Sequence, residues 1–221
     1  MAGDGFPMFP LGSVLLPGML MPLHVFEERY RRLVDDVLAS DPAEFGVCLI
    51  DRGSEVGGGD IRTAVGCVAR VLEGQQTDDG RWALLSVGVR RIRIVEWLDD
   101  DPYPRAVVED WADPPVPVAV AAVVDHALDD IERDARRVAA LASELGATGL
   151  PSDLEFADDP ALRSYQLAVM SPLGSLDRQR VLVAPDVTSR VELLAELIVE
   201  QEQLIRARLE FGGGGLDIED L

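Results

Sequence analysis

Apolar residues in the first half of the chain alternate with polar residues at a spacing of two, which is typical of β-strands with one buried face. Proline and glycine divide this pattern into short segments, because proline fixes φ and has no backbone donor. A turn at Thr77–Gly80 joins the two longest segments as a hairpin. Gly88 predicts a bulge or bend at which the second of them becomes two strands. The predicted strands are Met8–Leu11, Leu20–Leu23, Phe45–Ile50, Asp60–Leu72, Trp82–Leu98 and Arg105–Trp111.

Apolar residues recur at helical spacing in one early segment and through most of the second half. The early helix ends before Pro42, because a residue that precedes proline is pushed out of the helical conformation. Asp159-Pro160 provides a side-chain cap and a first-turn proline for a later helix. Before the last helix, Ser189–Glu192 fits a capping box, although Asp186 would cap an earlier start. The predicted helices are Phe26–Ser40, Val118–Leu145, Pro160–Val169, Leu176–Val183 and Val191–Phe211.

Three prolines within positions 114–117 separate the strand-rich half from the helix-rich half. The predicted fold class is therefore α+β, with a mixed or antiparallel barrel-like sheet and one helix in residues 1–112 and a bundle of about four helices in residues 113–211. A length of 221 residues suits one domain or two tightly packed subdomains. Residues 212–221 begin with four glycines and are predicted to form a flexible acidic tail, with a docking peptide as the alternative.

The charge of the chain excludes several functions. The formal net charge is −20, a field that repels polyanions, so no nucleic-acid partner is expected. All 20 basic residues are arginine, and neither lysine nor asparagine occurs. Both missing residues have AT-rich codons, so the composition favours a GC-rich bacterial genome. Without lysine there is no P-loop lysine, no Schiff base and no Ser-Lys dyad.

Residues with catalytic or metal-binding chemistry are few. His24 and His126 are the only imidazoles, and the chain contains neither an HExxH nor a GxSxG motif. Cys48 and Cys67 lie within predicted strands and are interpreted as small buried side chains rather than as a disulfide or a reactive pair. We therefore predict no metal, no cofactor and no catalytic residue. A Cys-His pair that meets only in the fold stays open as an alternative.

The N-terminus and the longest apolar run indicate where in the cell the protein is expected. The N-terminus lacks the basic segment and continuous apolar core of a signal peptide. The longest apolar run, Pro114–Val124, is too short to span a bilayer. We expect a cytoplasmic protein without a membrane partner.

The opening of the chain resembles a known family. The strings FPL at Phe9–Leu11, LPG at Leu16–Gly18 and PLHVFEERYRRLV at Pro22–Val34 are similar to the start of the Lon N-terminal domain, the substrate-binding module of Lon proteases. The resemblance implies a PUA-like β subdomain followed by a helical bundle, with a role in binding proteins or peptides. A full Lon protease adds an ATPase module and a Ser-Lys peptidase module. This sequence has neither, so the resemblance implies a stand-alone, ATP-independent form.

The first functional hypothesis is non-catalytic recognition of unfolded protein or peptide segments, as a substrate-recognition or adaptor protein in proteolysis and quality control. Methionine and leucine after the Pro17-Gly18 turn suit promiscuous apolar contacts. The expected site is a groove between the sheet and the long helix. A separate protease or ATPase is a candidate partner. The candidate peptide-binding residues are Met19, Leu20, Met21, His24, Phe26 and Tyr30.

Two alternatives stay open. The first is RNA binding, since the PUA-like fold implied by the resemblance includes RNA readers. Arginines in the segment Arg90–Arg93 alternate with isoleucine, but acidic neighbours favour a solvated strand face that the arginines share. The second alternative is an uncharacterised hydrolase that uses Cys48 or a carboxylate pair, which requires a deep pocket with convergent polar groups.

Overall fold

The computed structural model of the chain describes residues 5–52, 61–146 and 154–212. Contacts divide it into two compact units with a boundary after Asp113, and Arg178–Val183 groups with the first unit. The elements in chain order are β1 (Phe6–Leu11), β2 (Leu20–Val25), α1 (Glu28–Leu38), β3 (Glu44–Arg52), β4 (Ile61–Gln76), β5 (Trp82–Trp97), β6 (Arg105–Asp110), α2 (Val118–Glu144), α3 (Pro160–Met170), α4 (Ser175–Val183) and α5 (Val187–Gly212).

The first unit is built on one six-stranded sheet in the order β2-β5-β4-β3-β1-β6. An additional pairing of β5 with β6 closes five of the strands into a ring and leaves β2 as an appended edge strand. β1 pairs with β3 in parallel, whereas the other pairings are antiparallel. The predicted mixed, barrel-like sheet with one helix is confirmed.

β5 is one continuous strand of 16 residues, so the prediction that Gly88 divides it into two strands was wrong. The predicted bulge is present, because the register with β4 shifts between the pairs Val68–Arg90 and Ala69–Gly88. This bend allows β5 to pair with β2 along its first half and with β6 along its second half. A β-carbon at Gly88 would overlap the carbonyl oxygen of Leu16, so glycine is required at the bend.

Alternate residues of the strands build two hydrophobic clusters, one on each face of the sheet. Phe45 and Val47 of β3 belong to a large cluster that also contains the buried face of α1. Cys48 follows Val47 in the same strand, so its side chain lies on the other face of the sheet. It belongs to a smaller cluster with Met8 and Ile92. The buried residues of α1 are Tyr30, Leu33, Val34 and Val37.

The second unit is a helical bundle in which α2 packs against α3 and α5, and α3 packs against α5. Its core is aliphatic and follows the helical period of each element. The buried apolar residues of α2 are Val124, Leu128, Ile131, Ala135, Val138, Ala139 and Ala142. Those of α5 include Val187, Val191, Leu194, Leu197, Ile198 and Ile205.

Side-chain caps mark where α3 and α5 begin. The Leu162 backbone N–H donates to Asp159 Oδ2 at 2.8 Å, as expected from the sequence. The last helix begins earlier than predicted, because the Ser189 backbone N–H donates to Asp186 Oδ1 at 2.8 Å. Asp186 is therefore the cap, and the preferred capping box at Ser189–Glu192 was wrong.

Arg190 and Arg137 are among the residues that make polar contacts inside this bundle. Arg190 is fully buried, stacks over the Tyr165 ring with its guanidinium carbon 3.9 Å from the centroid, and donates to the hydroxyls of Ser164 and Tyr165. Arg137 of α2 binds both carboxylate oxygens of Glu202 in α5 at 2.9 Å. These contacts satisfy polar groups that would otherwise be buried without partners.

Some predictions fall outside the described residues. The tail over residues 213–221 is one of them, and Asp60, at the start of a predicted strand, is another. Within the described ranges, no helix combines the length and the apolar character needed to cross a bilayer.

Candidate functional site

β2 leaves one edge of the sheet unpaired within the described part of the chain. The Gly88 N–H donates to the Met19 carbonyl oxygen at 2.9 Å, which makes these two residues a hydrogen-bonded pair. Bonded and non-bonded pairs alternate between antiparallel strands, so the backbone groups of Leu20, Pro22 and His24 point away from β5. Because Pro22 has no N–H, the outer edge offers donors at Leu20 and His24 and carbonyl oxygens at all three.

The side chains of the same β2 residues continue onto β5 as one surface. Paired residues of antiparallel strands lie on the same side of a sheet, so each of the three has a neighbour on β5. Leu20 is 57% exposed, and its neighbours on β5 are half-buried. We call this surface the β2 face, and it consists of the pairs Leu20–Val87, Pro22–Leu85 and His24–Ala83.

Two surface clefts border the β2 face, and both are lined by His24 and Ala83. The first has a volume of about 570 Å³ and the second about 560 Å³. The first is lined by His24, Val25, Phe26, Thr77, Asp78, Asp79, Arg81, Trp82 and Ala83. The second is lined by Pro22, Leu23, His24, Glu73, Gly74, Gln75, Ala83, Leu84 and Leu85. All of these residues belong to the first unit, whereas the sequence analysis expected a groove that includes the long helix.

Three of the six candidate binding residues lie at this surface. Leu20 and His24 belong to the β2 face, and Phe26 is 55% exposed in the wall of the first cleft. Trp82 forms another part of that wall, and its Nε1–H donates to Asp35 Oδ1 at 3.2 Å. This bond holds the indole in place, so the aromatic wall is preformed.

The other three candidates face the opposite side of the sheet. Met21 is 7% exposed and belongs to the large hydrophobic cluster, against which the half-buried Met19 packs. Tyr30 is 3% exposed and stacks on Phe9 with the ring centroids 4.0 Å apart. A ligand cannot reach Met21 or Tyr30 without opening the core, so we leave both out of the surface.

The sequence analysis missed Pro22 and the β5 residues of the β2 face. The alternation in β5 shows two faces, but the neighbours of each face depend on pairing with β2, about sixty residues earlier. That register is a long-range property. Only the half-buried apolar positions Leu85 and Val87, which alternate with buried residues in β5, could have suggested the surface.

Carboxylates outnumber cations in the clefts. Glu73 lines the second cleft, and Asp78, Asp79 and Arg81 line the first. Asp79 accepts a hydrogen bond from the Thr77 hydroxyl at 2.6 Å and pairs with Arg81 Nε at 3.1 Å. The Thr77 hydroxyl and the Arg81 backbone N–H hold the pKa of Asp79 below its usual range. The surface is thus apolar with an acidic border.

The cysteines are placed as small core side chains. Both are buried, and neither forms a disulfide. Burial raises the pKa of the Cys67 thiol to about 12, which is opposite to what a nucleophile requires. Neither cleft is lined by a cysteine. In the ranges that the structure describes, no group of three or more histidine, cysteine or acidic side chains could hold a metal ion.

The arginine-rich strand does not form one solvated face. Arg91 is only 3% exposed, pairs with Asp113 at 2.7 Å and donates to the Leu182 carbonyl oxygen at 3.0 Å. The expected common exposed face was therefore wrong, because the end of α4 covers Arg91. Arg93 is exposed and lies over the Trp111 ring, 3.9 Å from its centroid.

Arg90 is neutralised by carboxylates. It pairs with Glu44 at 2.6 Å and with Asp110 at 2.8 Å, and Arg70 joins Glu44 at 2.7 Å. Burial alone would raise the pKa of Glu44, but the hydrogen bonds from the two guanidiniums outweigh it and hold the pKa below its usual value. Arginines paired in this way contribute little to phosphate binding.

Comparison with known structures identifies the fold. The Lon N-terminal domain protein from Xanthomonas campestris matches with a TM-score of 0.61 and 28% identity, over 87% of this chain and 98% of that one. The N-terminal domain of a Mycobacterium avium complex Lon protease, at 18% identity, matches with a TM-score of 0.59 over 89% of this chain and 99% of that one. The α+β architecture is that of Lon N-terminal domains.

Sequence comparison agrees with this class. Residues 5–200 match the model of the ATP-dependent protease La (Lon) substrate-binding domain. The chain belongs to this family. Lon protease from Heliobacterium modesticaldum is 24% identical over 90% of the chain, and Lon protease 2 from Thermus thermophilus is 28% identical over 94%. The chain spans about a quarter of the length of these relatives, 24% and 26% respectively.

Proposed function

We propose that the protein binds exposed apolar segments of unfolded polypeptides on the β2 face and Phe26, without a cofactor and without catalysis. The observation that supports this most is the continuous apolar surface along the unpaired β2 edge. Contiguous exposed apolar surface is typical of interaction sites, because it is costly to leave in water. The family description, a substrate-binding domain, agrees with such a role.

The β2 edge adds affinity that does not depend on sequence. An extended segment aligned with β2 finds backbone donors at Leu20 and His24 and carbonyl oxygens at Leu20, Pro22 and His24. This is the pattern by which a peptide adds a strand to a sheet, with backbone bonds for affinity and side-chain contacts for selectivity. Few anchors and a flexible ligand favour weak binding, of about −8 kcal/mol or a micromolar dissociation constant.

The proposed role in the cell is to recognise substrates for proteolysis and quality control, as an adaptor that acts with a separate protease or ATPase. The buried thiols and the absence of lysine from the sequence support a binding role over a catalytic one. Purified protein that hydrolysed a peptide or a nucleotide by itself would contradict this part of the proposal.

Binding of a labelled, permanently unfolded protein, followed by fluorescence anisotropy, tests the surface. We expect Leu20→Ser and Phe26→Ser to weaken binding about tenfold each, since each removes most of the burial energy of one large apolar side chain. Leu176→Ser is the matched control, because Leu176 is 71% exposed in α4 and lines neither cleft. Equal affinities for the three variants and the wild-type protein would overturn the proposed site.

A further inference from the structure

We infer that the β2 face selects apolar segments that carry basic residues over apolar segments that carry acidic ones. This inference rests on the proposed function and names the class of segment that the surface takes. Most of the charged side chains around the surface are negative.

The two clefts beside the β2 face are lined by three carboxylates and one guanidinium. Glu73, Asp78 and Asp79 supply the negative charges and Arg81 the positive one, so the local charge is two negative with His24 counted as neutral. The field of the whole chain has the same sign, with a formal net charge of −20. A cationic segment is therefore attracted at long range and again at the surface.

Two of these carboxylates have no partner among the described residues. Asp79 accepts a hydrogen bond from the Thr77 hydroxyl and forms an ion pair with Arg81. Glu73 and Asp78, by contrast, are exposed and make no hydrogen bond or ion pair within the ranges that the structure describes. Their charges are available to a ligand, and a guanidinium or ammonium group is the partner that suits them.

These carboxylates lie next to apolar contacts. Glu73 is in register with Leu85, and Leu85 is paired with Pro22, so the three side chains form one row across the sheet. Neighbouring strands are about 4.8 Å apart, so a segment added outside β2 lies three spacings, about 14 Å, from the Glu73 backbone, and the long side chain of an arginine or lysine narrows this gap. Asp78 shares the wall of the first cleft with Phe26 and Trp82. An apolar side chain and an adjacent arginine or lysine can thus be bound together.

An acidic segment meets the opposite situation. Its carboxylates would lie on the same side of the sheet as Glu73 and near Asp78, and like charges repel each other over such distances at low ionic strength. The backbone groups of β2 and the apolar side chains would still be offered to it. The charge therefore acts as a filter on top of an otherwise permissive surface.

Three labelled peptides of equal length test the inference. They share one apolar core that contains leucine and phenylalanine, and they are flanked by arginine, serine or aspartate. At low ionic strength we expect the arginine-flanked peptide to bind about tenfold more tightly than the serine-flanked one, and the aspartate-flanked one more weakly still. At 1 M salt, where the screening length falls to about 3 Å, the three affinities should converge.

Variants assign the effect to the clefts. Glu73→Gln combined with Asp78→Asn should remove most of the preference for arginine, measured as the ratio of the affinities for the arginine-flanked and the serine-flanked peptide. Neither side chain makes a described bond, so the fold is retained, which circular dichroism checks. Glu96→Gln on β5 is the control, because Glu96 is exposed and lines neither cleft. It should keep the preference of the wild-type protein.

The outcomes separate the two proposals. A salt-dependent preference for arginine that the Glu73→Gln, Asp78→Asn variant loses supports the inference. Equal binding of the three peptides, or a preference that survives in this variant, overturns the inference and leaves the proposed function standing. Failure of all three peptides to bind overturns the proposed function and the inference with it.

Discussion

Gly88 sets the position of β2 at the scale of a single residue. Its carbonyl oxygen accepts from the Gly18 N–H at 2.8 Å, and its N–H donates to Met19. An added β-carbon would overlap the Leu16 carbonyl oxygen. The backbone of the turn before β2 can lie this close to β5 only because residue 88 has no side chain.

Gly88→Ala should therefore lower the free energy of unfolding by about 1–3 kcal/mol, since the turn must shift to admit the methyl group. Urea denaturation measures the change. Gly174→Ala is the control, because no atom lies within 4 Å of a β-carbon at that position, and it should leave stability nearly unchanged. If the two variants were equally stable, the tight approach of the turn to β5 would be refuted.

Glu44 is a buried charge that links three strands, since its partners Arg70 and Arg90 lie on β4 and β5. Its pKa is held below the ordinary value of about 4.5, so the ion pairs stabilise the fold fully above that pH. The contribution is lost as the pH falls through the lower pKa of the folded state.

Glu44→Gln should destabilise the protein by about 2 kcal/mol at pH 7, because the two half-exposed arginines lose a charged partner but keep access to water. The difference from the wild-type protein should shrink as the pH falls below about 4.5. Denaturant titrations at several pH values measure it, with the exposed Glu96→Gln as control. A difference that stayed constant down to pH 3 would show that the charge of Glu44 is not responsible.

Individual residues also show where sequence reasoning fails. In β2 both faces carry apolar side chains, Leu20 and Pro22 on one side and Met21 and Leu23 on the other. Alternation therefore predicts two faces without saying which one is buried. The same limit applies to Arg91, whose burial depends on α4, about ninety residues later.

At the scale of elements, the helices of the second unit were the most predictable part. Their periodicity and their caps are local, so α2 and α3 follow from the sequence nearly residue by residue. The start of α5 was less certain because Asp186 and Ser189 are both suitable capping residues. Asp186 is the cap in the structure, since it accepts a hydrogen bond from the Ser189 backbone N–H. The order of strands in the sheet was out of reach, because it depends on long-range pairing.

The cap of α3 offers a test at this scale. Asp159→Ala removes the acceptor for the Leu162 N–H and should destabilise the second unit by about 1 kcal/mol. Asp158→Ala, one residue earlier and exposed, controls for the loss of a negative charge. Thermal denaturation followed by circular dichroism at about 222 nm, which reports helix content, compares the two variants. Equal melting temperatures for the two variants would contradict the assignment of the cap.

At the scale of the whole molecule, charge decides how the protein behaves in solution. A formal net charge of −20 makes molecules of the protein repel each other at neutral pH. At a pH near the isoelectric point of about 4.3 the net charge is zero and this repulsion is lost. Light scattering should therefore rise as the pH is lowered from 7 towards 4.3. Scattering that stayed flat while circular dichroism still reported a folded chain would show that net charge does not control association.

The whole-molecule view also limits what the sequence could say about the site. The opening segment pointed to β2, and three of its six proposed residues lie at the surface described above. The other wall of the first cleft comes from the β4–β5 hairpin, whose turn contains Gly80. The acidic border arises there because the fold brings distant carboxylates beside β2.

Pro22 has a consequence for what happens after a chain has been captured. A bare strand edge can recruit further strands one after another, and this is how fibrillar aggregates are seeded. Proline interrupts the row of donors midway along β2, so a captured chain gains too few bonds to become a template for the next one. Binding of unfolded polypeptide at this edge, as proposed above, would therefore avoid nucleating fibrillar deposits.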